Sequence, residues 1–183
     1  IRPYEGPKDY ASGLILTAAR ARSLDKGIHL LVEAFQIARR TRTELRLVIV
    51  GSDDNAALAR GMENVEVTGF VTAERLQDLF QSAALFAMPA LNEPWGLVYL
   101  EAMACKTPVL GLRRNALPEM TDGGRLGFLV DDAAPERLSM ALLDALSQPT
   151  SLEAMGVAAQ RYVLDRYSWD LAAQRIVERI SLL

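Results

Sequence analysis

One cysteine, Cys105, and one histidine, His29, are all that the 183 residues offer of the usual soft metal ligands. A single thiol excludes a disulfide within the chain and fits a reducing, cytoplasmic setting. A lone histidine without paired ligands gives no metal site. No apolar run approaches the roughly 20 residues that cross a bilayer, and the start lacks the basic-then-apolar pattern of a signal peptide. An excess of positive charge is missing too. Lys and Arg number 20 against 23 Asp and Glu, a formal charge of −3, which argues against a nucleic-acid binder that must displace counterions with a basic stripe. There is no internal repeat and no low-complexity tract. What remains is a chain half apolar and 23% charged, the profile of one folded domain with ample material for a core.

The opening residues 1–7 hold two prolines and a glycine and read as extended backbone. We expect residues 1–11 to be an interdomain linker and residues 12–183 to be one domain, so the chain reads as a piece of a longer polypeptide. From there strands and helices alternate. Leu14 to Ala18 is an apolar strand, and Lys26 to Arg40 places Ile28, Leu31, Phe35 and Ala38 on one helical face. Leu45 to Val50 is nearly all apolar and ends at Gly51, as in a strand buried on both faces. Val65 to Thr68 is a further strand, and Thr72 suits the cap of a helix running to Gln81. A strand over Leu85 to Met88 stops at Pro89, and a helix from Gly96 to Ala104 follows. Strands beginning at Thr107 and at Phe128 come next, and the remainder is helical. Pro135 suits a first turn, Thr150 with Glu153 suits a capping box, and Ser168 suits the cap of the last helix. This alternation predicts a doubly wound α/β parallel sheet with helices on both faces and C-terminal helices. Ligands of such sheets bind beyond the carboxyl ends of the strands.

The segment from Asn92 to Ala104 carries the clearest chemistry. Pro94 fixes the chain ahead of a helix, and Gly96 lets backbone approach a ligand closely. The free N–H groups of the first turn sit at the positive end of the helix dipole, which suits a phosphate or diphosphate. Glu93 precedes this turn and Glu101 lies about 7 Å further along the helix axis. Two carboxylates flanking an anion site suit a ligand with hydroxyls at both ends. The same residues also suit a plain helix start, with Glu93 stabilising the N-terminus and Glu101 solvated.

Glu93-Pro94-Trp95-Gly96, then Glu101-Ala102-Met103-Ala104 and Pro108-Val109, resemble the E-x7-E motif of glycosyltransferase family 4, with Pro94 where glycine is common. Val48 to Gly51, Val67 to Val71, Pro118-Glu119 and Tyr167-Ser168-Trp169 match further segments in the same order, so the resemblance covers residues 12–183. It implies one Rossmann-like half of a GT-B fold, the donor domain of a retaining glycosyltransferase. It further implies that Glu93 contacts the transferred sugar and Glu101 the ribose. Gly96, Leu97 and Val98 then meet the phosphates through backbone. Trp95 goes with this donor-binding set, although it and Trp169 also read as packing anchors. Gly51 and the Gly69-Phe70-Val71 segment fall near the nucleotide.

Arg20, Arg22 and Lys26 cluster after the first strand. A lysine at a helix N-terminus opposes the dipole, and a local rule broken without visible compensation points to a site. Arg20 and Lys26 are six apart, Arg22 and Lys26 four, against five in the family. The resemblance implies that Arg20 and Lys26 stabilise a departing diphosphate, making them catalytic with Glu93; a solvated basic loop is the alternative.

The expected ligand is therefore a nucleoside-diphosphate sugar, with no cofactor and no metal. Asp53-Asp54 lacks the spacing of a metal-holding D-x-D, and Cys105 reads as core. The acceptor, a glycan or a lipid, would be bound by an N-terminal domain of the same polypeptide. Any peripheral membrane contact would come through that domain. The present chain would hold the donor without completing the reaction. A non-catalytic nucleotide-binding module is the other reading. A redox Rossmann domain is disfavoured by the missing G-x-G-x-x-G after Leu14 to Ala18.

Overall fold

The computed structural model describes residues 2–19, 24–52 and 55–181. Six strands, β1 (Leu14–Ala19), β2 (Arg46–Gly51), β3 (Val65–Gly69), β4 (Leu85–Ala87), β5 (Val109–Leu112) and β6 (Gly127–Val130), form one sheet in the order β3-β2-β1-β4-β5-β6. Every pairing is parallel, as the both-faces-apolar strands demand. The order reverses between β1 and β4, so the sheet is Rossmann-like and doubly wound with a topological switch point there.

Alternation along the strands builds a core on each face. Leu14, Leu16 and Ala18 of β1 join Val48, Val50, Phe86 and Met88 on one side. Ile15, Leu47, Ile49, Leu85 and Ala87 face the other. The second core is covered by α1 (Ile28–Arg39) and α6 (Pro135–Ser147), which pack together. The first is covered by α3 (Ala73–Ser82), α4 (Leu97–Ala104) and α7 (Pro149–Arg166). Two four-residue helices, α2 (Asn55–Leu58) and α5 (Leu117–Met120), were not foreseen; they are too short to carry a helical periodicity.

The caps are mixed. Thr72 accepts from Arg75 N and Ser168 from Leu171 N, as expected. The capping box at Thr150 and Glu153 does not form. Helix α7 starts earlier, at Pro149, whose missing N–H is free of cost in a first turn, and Thr150 is already inside it. Trp169 is no anchor within the described chain: it is 86% exposed, and α8 (Trp169–Ile180) buries no residue.

Residues 2–11 carry no helix or strand but are docked. Tyr4 N donates to Ala104 O, and Gln160 Nε2 of α7 donates to both Tyr4 O and Ala104 O. Tyr10 Oη donates to Lys106 O. Lys8 Nζ reaches Phe80 O, Gln81 O and Thr107 Oγ1 at 2.7, 2.9 and 2.9 Å. The segment thus crosses the amino edge of the sheet.

Candidate functional site

At the opposite, carboxyl edge the strand ends open into a cavity of about 570 Å³, in the size range of small-molecule sites. Its floor is Ala18 and Ala19 of β1, Val50 and Gly51 of β2, and Met88 after β4. Its walls are Lys26, the turn from Phe70 to Ala73 with Leu76, and Glu93 with Gly96, Leu97, Val98 and Glu101. The cavity therefore spans the switch point.

The α4 wall owes its shape to local constraints. Gly96 is the N-cap, with φ 77° and no side-chain cap bond. A Cβ on it would lie 2.6 Å from the Tyr99 ring and 3.0 Å from Glu93 Cγ, so only glycine lets the turn fold this tightly. Tyr99 is buried, donates its hydroxyl to Met88 O at 2.5 Å and stands edge-on to Phe86. Burial pushes its phenol pKa up. It is thus a neutral strut joining α4 to the end of β4. The Leu97 and Val98 N–H groups lie in the first turn, ahead of the intrahelical ladder, at the positive dipole end.

The opposite wall is the end of the β1–α1 loop. Gly27 caps α1 with φ 68°, and a Cβ there would lie 2.1 Å from Pro89 O. Asp25 O accepts from Leu91 N at 2.7 Å and from Asn92 N at 3.0 Å. Lys26 Nζ pairs with Glu93 Oε2 and donates to Asn92 O. Loops 24–27 and 89–93 are in this way joined side by side.

The structure brings Lys26, Gly51, Phe70, Val71, Glu93, Gly96, Leu97, Val98 and Glu101 to one cavity. Gly69 ends β3, one residue short of the wall. Trp95 is not part of the lining: it turns away to meet Tyr167 edge-on at 6.2 Å between centroids. Arg20 and Arg22 lie outside the described residues, as do Asp53 and Asp54. Phe70 stands at the cavity wall as a residue 67% exposed. Sequence reasoning missed the Asp25 carbonyl, the Gly27–Pro89 contact and Tyr99. Lys26-Gly27 and Pro89 were the available signals, but nothing local shows that they meet.

Among the described residues no cluster of three or more His, Cys, Asp or Glu could hold a metal. No helix there is long and apolar enough to cross a membrane. Cys105 is buried.

Residues 6–162 match the family described as Glycosyl transferases group 1. The chain is 32% identical over 170 residues to a GDP-mannose-dependent alpha-(1-6)-phosphatidylinositol monomannoside mannosyltransferase of Mycolicibacterium smegmatis, covering 85% of this chain and 44% of that protein. The chain spans less than half the length of the curated relatives it matches. Among solved structures it resembles the Anabaena protein HepE in complex with UDP-glucose, with TM-score 0.81, 21% identity, and 94% of this chain and 49% of that one covered. It also resembles a C-terminal domain of a glycosyl transferase group 1 family protein from Francisella tularensis, with TM-score 0.74, 18% identity, and 85% and 87% covered. These likenesses in structure speak to the fold, one half of a GT-B architecture.

Proposed function

Because the chain belongs to the Glycosyl transferases group 1 family, we propose that it is the donor-binding domain of a retaining glycosyltransferase that moves a sugar from a nucleoside-diphosphate sugar to a glycan or lipid acceptor. The observation that carries this reading is the convergence of Lys26, Glu93, the Gly96 turn and Glu101 on one cavity at the switch point.

The donor's parts are assigned by chemistry. The diphosphate lies across the N-terminus of α4, facing the Leu97 and Val98 N–H groups with the Lys26 ammonium beside it. Arg20 is the second cation of this reading. Glu101 accepts from the ribose hydroxyls and Glu93 from those of the sugar. The base lies toward Gly51, Gly69 and Val71, within reach of the Phe70 ring. Catalysis then consists of holding the donor in a reactive pose and stabilising negative charge on the leaving diphosphate. No general base is assigned.

The acceptor belongs to the rest of a longer polypeptide. The greater length of the relatives supports this, as does α8, which exposes Trp169, Ile176, Val177 and Ile180 at 86%, 60%, 62% and 65%. A partner domain covering that face would remove a large apolar patch from water. On this reading the chain alone binds donor without turning it over. The relative from Mycolicibacterium smegmatis, named for a phosphatidylinositol mannoside, favours a lipid among acceptors.

The test is calorimetry of the chain with UDP, GDP and ADP. Saturable binding of one of them is expected, and no heat with any of the three refutes the donor site.

A further inference from the structure

The Lys26–Glu93 ion pair is not a loose surface contact. The two side chains are 19% and 21% exposed, and their loops are fastened to each other by the bonds from Leu91 N and Asn92 N to Asp25 O. Gly27 brings the loops within the distance of a missing Cβ from Pro89 O. Ammonium and carboxylate therefore meet on the cavity wall in a geometry set by backbone.

We propose that this pair makes the site discriminate between an intact nucleotide sugar and the nucleoside diphosphate left after transfer. The inference rests on the donor-site reading above and adds a role for Glu93 that a sugar contact alone does not include. Glu93 and a diphosphate at the α4 turn compete for the same ammonium. When a diphosphate takes Lys26, the Glu93 carboxylate loses its cation and faces a second anion nearby, an unfavourable arrangement at a half-buried site. The hydroxyls of an attached sugar offset that loss by donating hydrogen bonds to the carboxylate. A diphosphate without its sugar has no such donors, so Glu93 draws Lys26 back and weakens the hold on the spent nucleotide. The pair thus favours the donor and speeds release of the product, a step that limits turnover in many enzymes.

The test compares Glu93→Gln with the wild type in the full-length protein. Affinities are measured by calorimetry for UDP, GDP and ADP and for the glucose and mannose conjugates of each. The glutamine keeps the shape and an acceptor oxygen while removing the charge. For the nucleotide that binds, the variant should hold the bare diphosphate roughly threefold to tenfold more tightly, with no matching gain for the sugar conjugate. The preference for donor over product then falls. Unchanged or weaker binding of the bare diphosphate overturns the proposal. Glu93→Ala provides a second charge-free variant with the same expected sign. In a Lys26→Gln background the gain from Glu93→Gln should shrink. An equal gain there assigns the effect to direct repulsion and overturns competition for Lys26. Failure of the wild type to bind any of the three nucleotides refutes the donor site itself, an outcome distinct from a wild type that binds while its variants do not shift.

Discussion

The two edges of the sheet are built on opposite principles. At the amino edge, polar groups of the crossing segment find partners inside the chain. Lys8 Nζ lies within hydrogen-bond distance of three oxygens, Tyr10 donates to Lys106 O, and Gln160 donates to two carbonyls at once. At the carboxyl edge, α1 and α4 both begin at left-handed glycines without a side-chain cap, and Phe70 stands exposed. The first edge is closed by its own hydrogen bonds, which suits stability. The second presents first-turn N–H groups, the Lys26–Glu93 pair and Glu101 to one cavity, which suits a ligand. The comparison predicts that substitutions at the amino edge change unfolding but not nucleotide binding. Those on the cavity wall do the reverse, unless they strike the backbone that holds the wall together.

The exception should give the largest effect. Gly27→Ala combines a left-handed φ of 68° with a Cβ placed 2.1 Å from Pro89 O. A loss of about 3 kcal/mol in urea unfolding is expected, together with loss of nucleotide binding as the two loops part. A loss below about 1 kcal/mol would mean that the loops are not a rigid unit.

Glu101→Ala tests the wall without disturbing its backbone. It should weaken nucleotide binding by about 1–3 kcal/mol if the carboxylate accepts ribose hydroxyls, a larger effect than any on denaturant unfolding. Calorimetry and urea titration on the same preparation check both halves, and a variant that loses stability but keeps affinity would erase the contrast between the edges.

How far this was legible beforehand differs between the edges as well. The strands of the sheet centre were plain because continuous apolar runs such as Leu47 to Val50 have no other home than a doubly covered sheet. Gly96 and Glu101 could be placed together because helix geometry fixes their spacing, Glu93 falls in the loop just ahead, and a family resemblance gave all three meaning. The Lys26–Glu93 pair joins residues 67 apart in sequence, and no local pattern encodes such a meeting. The amino edge hid for the same reason. Pro3, Gly6 and Pro7 announce extended backbone, but the partners of Lys8 lie as far off as Thr107. Residues 1–11 therefore read as an extended interdomain linker in sequence, and the docking of their described part has no local signal.

Gln160→Leu tests the amino edge. Both carbonyls that Gln160 satisfies, Tyr4 O and Ala104 O, lose a donor in a buried setting. A cost of about 1–2 kcal/mol in unfolding is expected, with nucleotide affinity unchanged. A shift in affinity would show that the two edges communicate.

Lys8 gives the smallest effect near neutrality and the most specific one. Burial pulls its pKa down to about 7, from an unfolded value near 10.4. Between these values the unfolded chain holds a proton that the folded chain has released. Stability therefore rises with pH across that window, by at most about 1.4 kcal/mol per pH unit for one proton. Lys8→Met keeps the length of the stem and removes the titration. Unfolding free energies of wild type and variant, measured at pH 7 and pH 8, should differ in their change by about 1 kcal/mol, the wild type gaining more. Parallel curves would place the proton on Lys8 in both states, and the amino edge would then be held by an ordinary ammonium.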